Sequence, residues 1–241
     1  MRKTATFLSV LVLMGLSGLL LAQTPSPLTP FSEMQSLNDG WEPLEFPKID
    51  QLSRYELTTE DGQQVVRATT DGGASGLIAR VRLEPTDSLI LQWRWKVSNV
   101  FENGDAREKS GDDYPARIYV AFEFQPEKAG FFERAKRKTV EVLFGESLPG
   151  NALNYIWANT LPKGEIVPNP YTEKTMMIAV NSGSEQVGEW VTVERDIMAD
   201  YREAFGEEPP PVVGIAIMSD SDNTGENATA WYGDILLNPD S

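Results

Sequence analysis

Short segments in which apolar and polar residues alternate recur along most of this chain, and turn residues separate them. In residues 116–124, "ARIYVAFEF", the side chains of Ile118, Val120 and Phe122 share one face of an extended strand. A period of two is typical of a strand with one buried side, whereas a helix has a period of about 3.6. About ten such segments, separated by Gly, Asp, Asn and Pro, predict a mainly β protein that folds as an antiparallel β-sandwich.

Two segments depart from this pattern and predict helices. Apolar residues follow a helical spacing over residues 126–145, where a proline suits the start of a helix and a glycine its end. We predict an amphipathic helix there, lying over one edge or face of the sandwich, and a basic binding face is the alternative reading. Residues 195–206 predict a short second helix, with Asp196 and Asp200 in its early part, where the helix dipole favours anions.

Residues 1–22 have the pattern of a secretory signal peptide. Two basic residues precede an apolar run over 5–22, and Ala22 stands before the expected cleavage point. An uncleaved membrane anchor is the alternative, because a span needs roughly 20 apolar residues. We therefore predict a periplasmic or secreted protein with no membrane span after cleavage. Residues 23–40 would form a flexible lead-in and residues 41–241 a single β-sandwich domain, whose oligomeric state the sequence leaves open.

Composition removes several classes of function. The chain has no histidine and no cysteine, so histidine-dependent triads, the common zinc sites and disulfides are unavailable to it. Any chemistry must use carboxylates, Tyr, Lys or Arg, and any metal must be a hard cation on oxygen ligands. A formal net charge of −15 argues against nucleic acid as a partner, because phosphate binding needs a basic face. A neutral polysaccharide, a cation or a basic partner is compatible with such a chain.

A first candidate binding site is the connection over residues 99–117. It is longer than the two to five residues or so that a hairpin needs, and long loops are often functional or disordered. Within it, Asp112 and Asp113 could bind a cation or pair with Lys109 and Arg117. A solvated polar loop without a ligand is the alternative.

Aromatic pairs provide a second candidate site. Tyr155 and Trp157 are two residues apart in a predicted strand, so they share a face, and asparagines flank them. Flat rings beside amides can hold sugars by stacking and hydrogen bonding, and Asn181 is a further polar candidate. Core packing is the competing interpretation for this pair, and it is favoured both here and for Trp93 and Trp95.

A third candidate is "DSDNTG" (220–225), which lies between the last two predicted strands. Asp220, Asp222 and Thr224 place side-chain oxygens at alternate residues, a spacing that calcium-binding loops use. The segment is not an EF-hand, because its glycine comes early and the glutamate at the twelfth position is missing. A ligand contact and a structural turn, in which Asp and Asn cap their own backbone, are the alternatives.

Five motifs occur along the chain in a distinctive order: "WRWKV", "GDDYPARIYVAF", "LNYIWAN", "ERDIMADYREAFG" and "GIAIMSDSDNTG". In this order they resemble an uncharacterised family of secreted bacterial proteins, a domain of unknown function. The resemblance runs from about Trp41 to Leu237. It implies one exported domain with a jelly-roll or concanavalin-like sandwich, similar in architecture to carbohydrate-binding modules. Sugar binding carried over from such folds is analogy, because one fold serves many functions.

Three functions are compatible with these features. The leading hypothesis is a module that binds a polysaccharide or oligosaccharide and that calcium could stabilise. The second is a polysaccharide lyase or hydrolase that uses carboxylates, Tyr, Lys or Arg. The third is a structural or partner-binding envelope protein without a small ligand. The first two require the acidic residues of the first and third candidate sites to share one pocket with Arg117.

Overall fold

The computed structural model describes residues 26–46, 49–130 and 150–239, and within these ranges the chain forms twelve strands. The strands are β1 (Glu42–Leu44), β2 (Arg54–Glu60), β3 (Gln63–Asp71), β4 (Ala74–Leu83), β5 (Leu89–Val97), β6 (Arg117–Phe122), β7 (Ala152–Ala158), β8 (Ile166–Asn169), β9 (Thr172–Ser182), β10 (Val191–Asp196), β11 (Val212–Asp220) and β12 (Asn227–Pro239). One α-helix, α1 (Ile197–Phe205), and two short 3-10 helices (Phe31–Glu33 and Lys109–Gly111) complete the described elements. The predicted mainly β fold is confirmed.

The strands form two sheets that pack face to face as a jelly-roll sandwich, which confirms the predicted architecture. The seven-stranded sheet has the order β1-β4-β11-β6-β7-β9-β8, and the five-stranded sheet has the order β10-β5-β12-β3-β2. Their described pairs are antiparallel except β7 and β9, which are parallel. This exception arises because the chain leaves β7, forms β8 at the sheet edge, and returns as β9 between the two.

Aromatic side chains fill the space between the sheets. The rings of Trp93 and Trp95 on β5 lie 5.4 Å apart at an interplanar angle of 83°. Trp93 also lies 5.3 Å from the ring of Tyr155 in the opposite sheet, and Trp95 lies 6.0 Å from that of Trp157. Burial of such large rings contributes strongly to the hydrophobic free energy of folding. The favoured core role of Trp93 and Trp95 is confirmed.

The short helix predicted over residues 195–206 is confirmed as α1. Its N-cap is Asp196, whose Oδ1 accepts hydrogen bonds from the backbone N–H of Met198 at 3.0 Å and of Ala199 at 3.2 Å. The helix ends at Gly206, which adopts a left-handed φ of 69°. Both ends are therefore specified by local sequence.

The amphipathic helix predicted over residues 126–145 falls mainly on residues 131–149, outside the described ranges. The described start of that segment forms a turn, in which the N–H of Ala129 donates to the carbonyl oxygen of Pro126 at 3.3 Å. The predicted signal peptide, residues 1–22, also lies outside the described ranges. Among the described residues, no helix is long and apolar enough to cross a membrane.

The prediction of a flexible lead-in over residues 23–40 is wrong for its described part. Leu28, Phe31 and Met34 are buried in the main hydrophobic core. The side chain of Gln64 on β3 donates to the carbonyl oxygens of Phe31 at 2.7 Å and of Met34 at 2.8 Å. Burial of three large apolar side chains offsets the entropy lost when this segment is ordered.

The outer face of the seven-stranded sheet presents polar side chains. Alternation along β6 directs Ile118 and Val120 into the core, and it directs Arg117 and Tyr119 to the outer face. The loop over residues 98–116 covers one end of this face and buries a second, smaller apolar cluster. The same loop brings its acidic residues to the end of β6.

Candidate functional site

A groove of about 570 Å³ lies on the outer face of the seven-stranded sheet. It forms where the sheet meets the 98–116 loop, the β8–β9 turn and the β11–β12 turn. Its polar and aromatic lining includes Asp112, Arg117, Tyr119, Tyr171, Asp220 and Asp222. The first and third candidate segments therefore meet in one pocket with Arg117, as the leading hypothesis requires.

Arg117 is the centre of the groove and is only 4% exposed. Its Nη2 donates to Oδ2 of Asp220, and its Nη1 lies 3.7 Å from Oδ1 of Asp112. The rings of Tyr114 and Tyr119 lie 5.1 Å and 5.5 Å from the guanidinium carbon, within the range of cation–π attraction. These ionic and aromatic contacts together fix the plane of the guanidinium group.

Some polar atoms of this network are buried without a hydrogen bond. Within the described ranges, Nε and Nη1 of Arg117 and Oδ1 of Asp112 have no hydrogen-bond partner. The other oxygen of Asp112 accepts from Nδ2 of Asn169 at 2.7 Å. Because roughly 90% or more of buried polar groups are hydrogen-bonded, these three atoms mark a place where a ligand or ordered water completes the site.

Among its described lining residues, the groove holds more carboxylates than its one guanidinium can balance. Burial raises the pKa of Asp220 well above its usual value, and burial also raises the pKa of Asp112, although Arg117 opposes both shifts. Partial burial, followed by the charge of Asp113, raises the pKa of Asp222, although its side chain is still exposed to solvent. Burial is the largest single influence on the pKa of Arg117 and lowers it, but attraction to Asp220, Tyr119, Asp112 and Tyr114 together outweighs burial and raises the pKa. The guanidinium therefore stays charged.

Asp113 organises the "DSDNTG" turn from behind the groove. Its Oδ2 accepts from the backbone N–H of Asn223 at 3.0 Å and of Thr224 at 2.6 Å, and its Oδ1 accepts from Nδ2 of Asn223 at 2.9 Å. Oγ1 of Thr224 accepts from the backbone N–H of Glu226 at 3.4 Å. The structural turn that the sequence left open is therefore present. Most of the backbone hydrogen bonds that cap this turn come from Asp113 in another loop, while the Asp222 carboxylate also accepts from its own backbone N–H.

The carboxylates of Asp113, Asp220 and Asp222 form a cluster in which one oxygen of each lies within 4.8 Å of the others. Two of the three predicted calcium ligands are thus together, and Asp113 takes the place predicted for Thr224. Hard cations bind such oxygen clusters, although Asp220 already pairs with Arg117. Calcium binding therefore stays a prediction.

Tyr155 and Trp157 do not form the predicted sugar-stacking face. Both are fully buried, with Oη of Tyr155 donating to Asp200 at 2.6 Å and Nε1 of Trp157 donating to a backbone carbonyl at 3.1 Å. Asn181 is also fully buried, and its Oδ1 accepts from Nε1 of Trp95 at 2.9 Å. The prediction that these three residues contact a ligand is wrong, because their shared face points into the core.

Several groove residues are not predicted from the sequence, among them Tyr119, Asn169, Tyr171 and Asn223. Tyr119 had a usable signal, because it alternates with buried residues and lies two positions from Arg117. Tyr171 had none, because it stands at the tip of the β8–β9 turn. Its hydroxyl lies 2.8 Å from Oδ1 of Asn223 and 3.1 Å from the carbonyl oxygen of Lys109, so it joins three loops at the groove mouth.

Residues 39–236 match the family model described as "Protein of unknown function (DUF3047)". The chain belongs to this family. The resemblance inferred from the five motifs is thereby confirmed. Because the match extends from β1 into β12, the segments that line the groove all lie within the DUF3047 domain. No curated protein sequence matches the chain significantly.

Several solved structures are similar in fold to this DUF3047 domain. The carbohydrate recognition domain of Emp47p is 10% identical with a TM-score of 0.42, covering 89% of this chain and 95% of that one. The family 11 xylanase from Neocallimastix patriciarum is 12% identical with a TM-score of 0.33, covering 87% and 95%. The enzymatically active domain of bacteriophage CBA120 tailspike protein 4 is 8% identical with a TM-score of 0.38, covering 83% of this chain but only 19% of the tailspike chain. The likeness is one of fold alone.

Proposed function

We propose that this DUF3047 domain binds a glycan in the groove on its seven-stranded sheet. One observation carries the proposal: Arg117 is buried at the groove with N–H groups that have no described partner, beside an Asp112 oxygen in the same condition. Sugars present closely spaced hydroxyls, each of which can donate and accept a hydrogen bond. The groove volume of about 570 Å³ falls within the range of small-ligand sites, about 300–1,000 Å³.

Two tyrosines supply the flat surfaces that sugar rings contact. Tyr119 lies among the strands on the groove floor, and Tyr171 lies at the mouth with 56% of its surface exposed. The hydroxyl contacts of Tyr171 hold its ring in place, so little conformational entropy is lost when a sugar stacks on it.

The test is calorimetric titration of the protein, expressed from its full coding sequence, with a panel of soluble oligosaccharides. We expect one or more sugars to bind and Tyr171→Ala to weaken that binding by about fivefold, since stacking on an aromatic ring contributes roughly 1 kcal/mol. Leu52→Ala is the matched control, because Leu52 is 41% exposed and lies outside the groove lining. The absence of binding across the panel would reject the proposal and leave the structural or partner-binding alternative.

A second candidate function is a polysaccharide hydrolase. It is favoured by two carboxyl groups in the groove, Asp112 and Asp222, whose pKa values burial raises. A carboxyl group that retains its proton can act as a general acid beside an ionised partner. A lyase has less support, because burial raises the pKa of Tyr119 and no lysine lines the groove within the described ranges. Release of new reducing ends from polysaccharide, lost in Asp112→Asn, would support hydrolysis.

Export and calcium binding are also part of the proposed function. The apolar N-terminal pattern supports export with cleavage after Ala22, which the mass of the purified protein tests directly. The oxygen cluster of Asp113, Asp220 and Asp222 supports a calcium ion that stabilises the fold at the base of the groove. A protein that retains residues 1–22 would contradict the first part, and a melting temperature insensitive to calcium would contradict the second.

A further inference from the structure

Two polar atoms without a described hydrogen bond lie 3.7 Å apart in the groove, Nη1 of Arg117 and Oδ1 of Asp112. This separation is too long for a direct hydrogen bond, but one oxygen atom placed beside both can bridge them. The guanidinium can only donate, and an ionised carboxylate can only accept. A hydroxyl group satisfies both at once, whereas a ligand carboxylate can only accept and a ligand ammonium can only donate.

Neither atom is free to turn away from this gap. The ion pair with Asp220 and the rings of Tyr114 and Tyr119 hold the guanidinium of Arg117. Asp112 is held through its other oxygen, which accepts from Nδ2 of Asn169 at 2.7 Å. The donor and the acceptor are therefore organised before a ligand arrives, which lowers the entropic cost of binding.

The charge of the groove adds a second basis for selection. Asp112, Asp220 and Asp222 line it, while Arg117 is the one cation among its described lining residues. Asp113 adds a further carboxylate directly behind the "DSDNTG" turn. A carboxylate or sulfate on a ligand would lie among more carboxylates than cations, which is unfavourable.

We propose that the groove selects neutral sugars through one hydroxyl that accepts from Nη1 of Arg117 and donates to Oδ1 of Asp112, and that it discriminates against acidic glycans. This inference rests on the proposed function, because it assigns a class of glycan to the same groove. Arg117 and Asp112 are then the residues that determine specificity.

Two substitutions, Asp112→Asn and Asp222→Asn, distinguish the effect of the bridging contact on sugar affinity from the effect of net charge. Both remove one negative charge from the same groove, but only Asp112→Asn alters the bridging contact. In Asp112→Asn, the amide oxygen must face Nδ2 of Asn169, so the amide NH2 group faces Arg117. A sugar hydroxyl then has no acceptor for its proton, whereas a ligand carboxylate meets donors from both sides. Asp222→Asn leaves the gap between Arg117 and Asp112 unchanged.

The experiment is calorimetric titration with neutral cello-, xylo- and manno-oligosaccharides and with acidic oligogalacturonate. We expect the unsubstituted protein to bind a neutral sugar at least about tenfold more tightly than oligogalacturonate. We expect Asp112→Asn to weaken neutral binding about tenfold or more and to strengthen acidic binding. Asp222 also lines the groove, so we expect Asp222→Asn to weaken neutral binding as well, but clearly less than Asp112→Asn does. Thermal unfolding checks that both variants are folded.

Each result bears on a different claim. Acidic sugars that bind the unsubstituted protein as tightly as neutral ones would overturn the inference while leaving glycan binding in place. Equal losses in Asp112→Asn and Asp222→Asn would overturn it as well, because net charge alone would explain them. A protein that binds no sugar of either class contradicts the proposed function itself. The preference of the unsubstituted protein decides the question even if Asp112→Asn fails to fold.

Discussion

The guanidinium of Arg117 pairs with the carboxylate of Asp220, 103 residues further along the chain, and both side chains are almost wholly buried. The pair joins β6 to the end of β11, where the groove forms. Removal of one partner from a buried pair leaves an uncompensated charge, which costs about 3–5 kcal/mol. We expect Arg117→Met to lower the free energy of unfolding by that amount, measured by urea denaturation near neutral pH. The double variant Arg117→Met/Asp220→Leu is the control, and we expect it to recover most of the loss.

The loss in free energy of unfolding caused by Arg117→Met, here called the deficit, depends on pH. Burial already raises the pKa of Asp220, and loss of Arg117 removes the charge that opposes this shift. Between the unfolded pKa of about 3.9 and the raised folded pKa, the folded state binds more protons, so stability falls as pH rises through that window. We expect the deficit to be largest near pH 8 and to shrink as pH falls towards 4. A deficit that is constant over this range would assign the loss to packing instead of charge.

Tyr155 has a structural role that can be separated from the groove. Its hydroxyl donates at 2.6 Å to Asp200 of α1, whose carboxylate also pairs with Arg195. Because a buried hydrogen bond to a charged group contributes about 1.5–3 kcal/mol, we expect Tyr155→Phe to lower the free energy of unfolding by that amount. The sugar affinity of Tyr155→Phe is expected to stay unchanged. Tyr171→Phe is the control, because the hydroxyl it removes is exposed and little stability is lost with it.

Alternation along the strands was enough to predict the sandwich, but it could not say which face of a strand points inward. In β6 the polar side chains of Arg117 and Tyr119 reveal the outer face. In β7 both faces are buried, because the 98–116 loop covers the side that carries Ile156 while the opposite sheet covers Tyr155. A pattern of period two cannot report the burial of both faces, so an aromatic pair in the core had the same appearance as a binding surface.

Some groove residues could be predicted because they lie in acidic connections that are visible in the sequence. Others could not, because their part in the groove depends on contacts with residues far away in the chain. Asp112 and Asp220 were candidates because each lies in an acidic connection, and the sandwich brings these connections together. Thr224 had the spacing of a metal ligand. In the structure its backbone N–H instead donates a hydrogen bond to Asp113, more than a hundred residues away. Long-range hydrogen bonds of this kind leave no local pattern in the sequence.

Asp222→Asn tests calcium binding, because the difference in melting temperature between this variant and the unsubstituted protein should change sign when calcium is added. Burial and the charge of Asp113 raise the pKa of Asp222, so its ionised form costs stability above that pKa and costs nothing below the unfolded pKa. In chelator near pH 8, we therefore expect Asp222→Asn to melt about a degree higher than the unsubstituted protein, because solvent screens this exposed carboxylate and keeps the effect small. In millimolar calcium we expect the reverse order, because an ion that binds only the folded state stabilises the protein that retains all three carboxylates.

The control for Asp222→Asn is Asp87→Asn, which removes the same charge from an exposed loop between β4 and β5. We expect its melting temperature to follow that of the unsubstituted protein in both buffers. If calcium leaves the melting temperature of the unsubstituted protein unchanged, the prediction of a calcium site is wrong. The increase in chelator would then measure the combined cost of the partial burial of Asp222 and of its repulsion by Asp113.

Gly104 keeps the 98–116 loop in the position that forms the groove. A Cβ atom at this residue would lie 1.8 Å from Nδ2 of Asn159. Asn159 holds the loop at two points, accepting from the N–H of Phe101 at 2.8 Å and donating to the carbonyl oxygen of Asp113 at 2.8 Å. Gly104→Ala must therefore displace Asn159 and shift the segment that carries Asp113 and its neighbour in the groove.

We expect Gly104→Ala to lower the free energy of unfolding by about 1–3 kcal/mol, the usual cost of overpacking. We also expect it to reduce affinity for the best-binding sugar about tenfold or more, because a displaced Asp112 no longer lies across the gap from Arg117. Gly130→Ala is the control, since an added Cβ there meets no atom of the described residues within 4 Å. Calorimetric titration of the two variants decides the point: a Gly104→Ala protein that is destabilised but binds sugar normally would show that the loop supports the fold and takes no part in the groove.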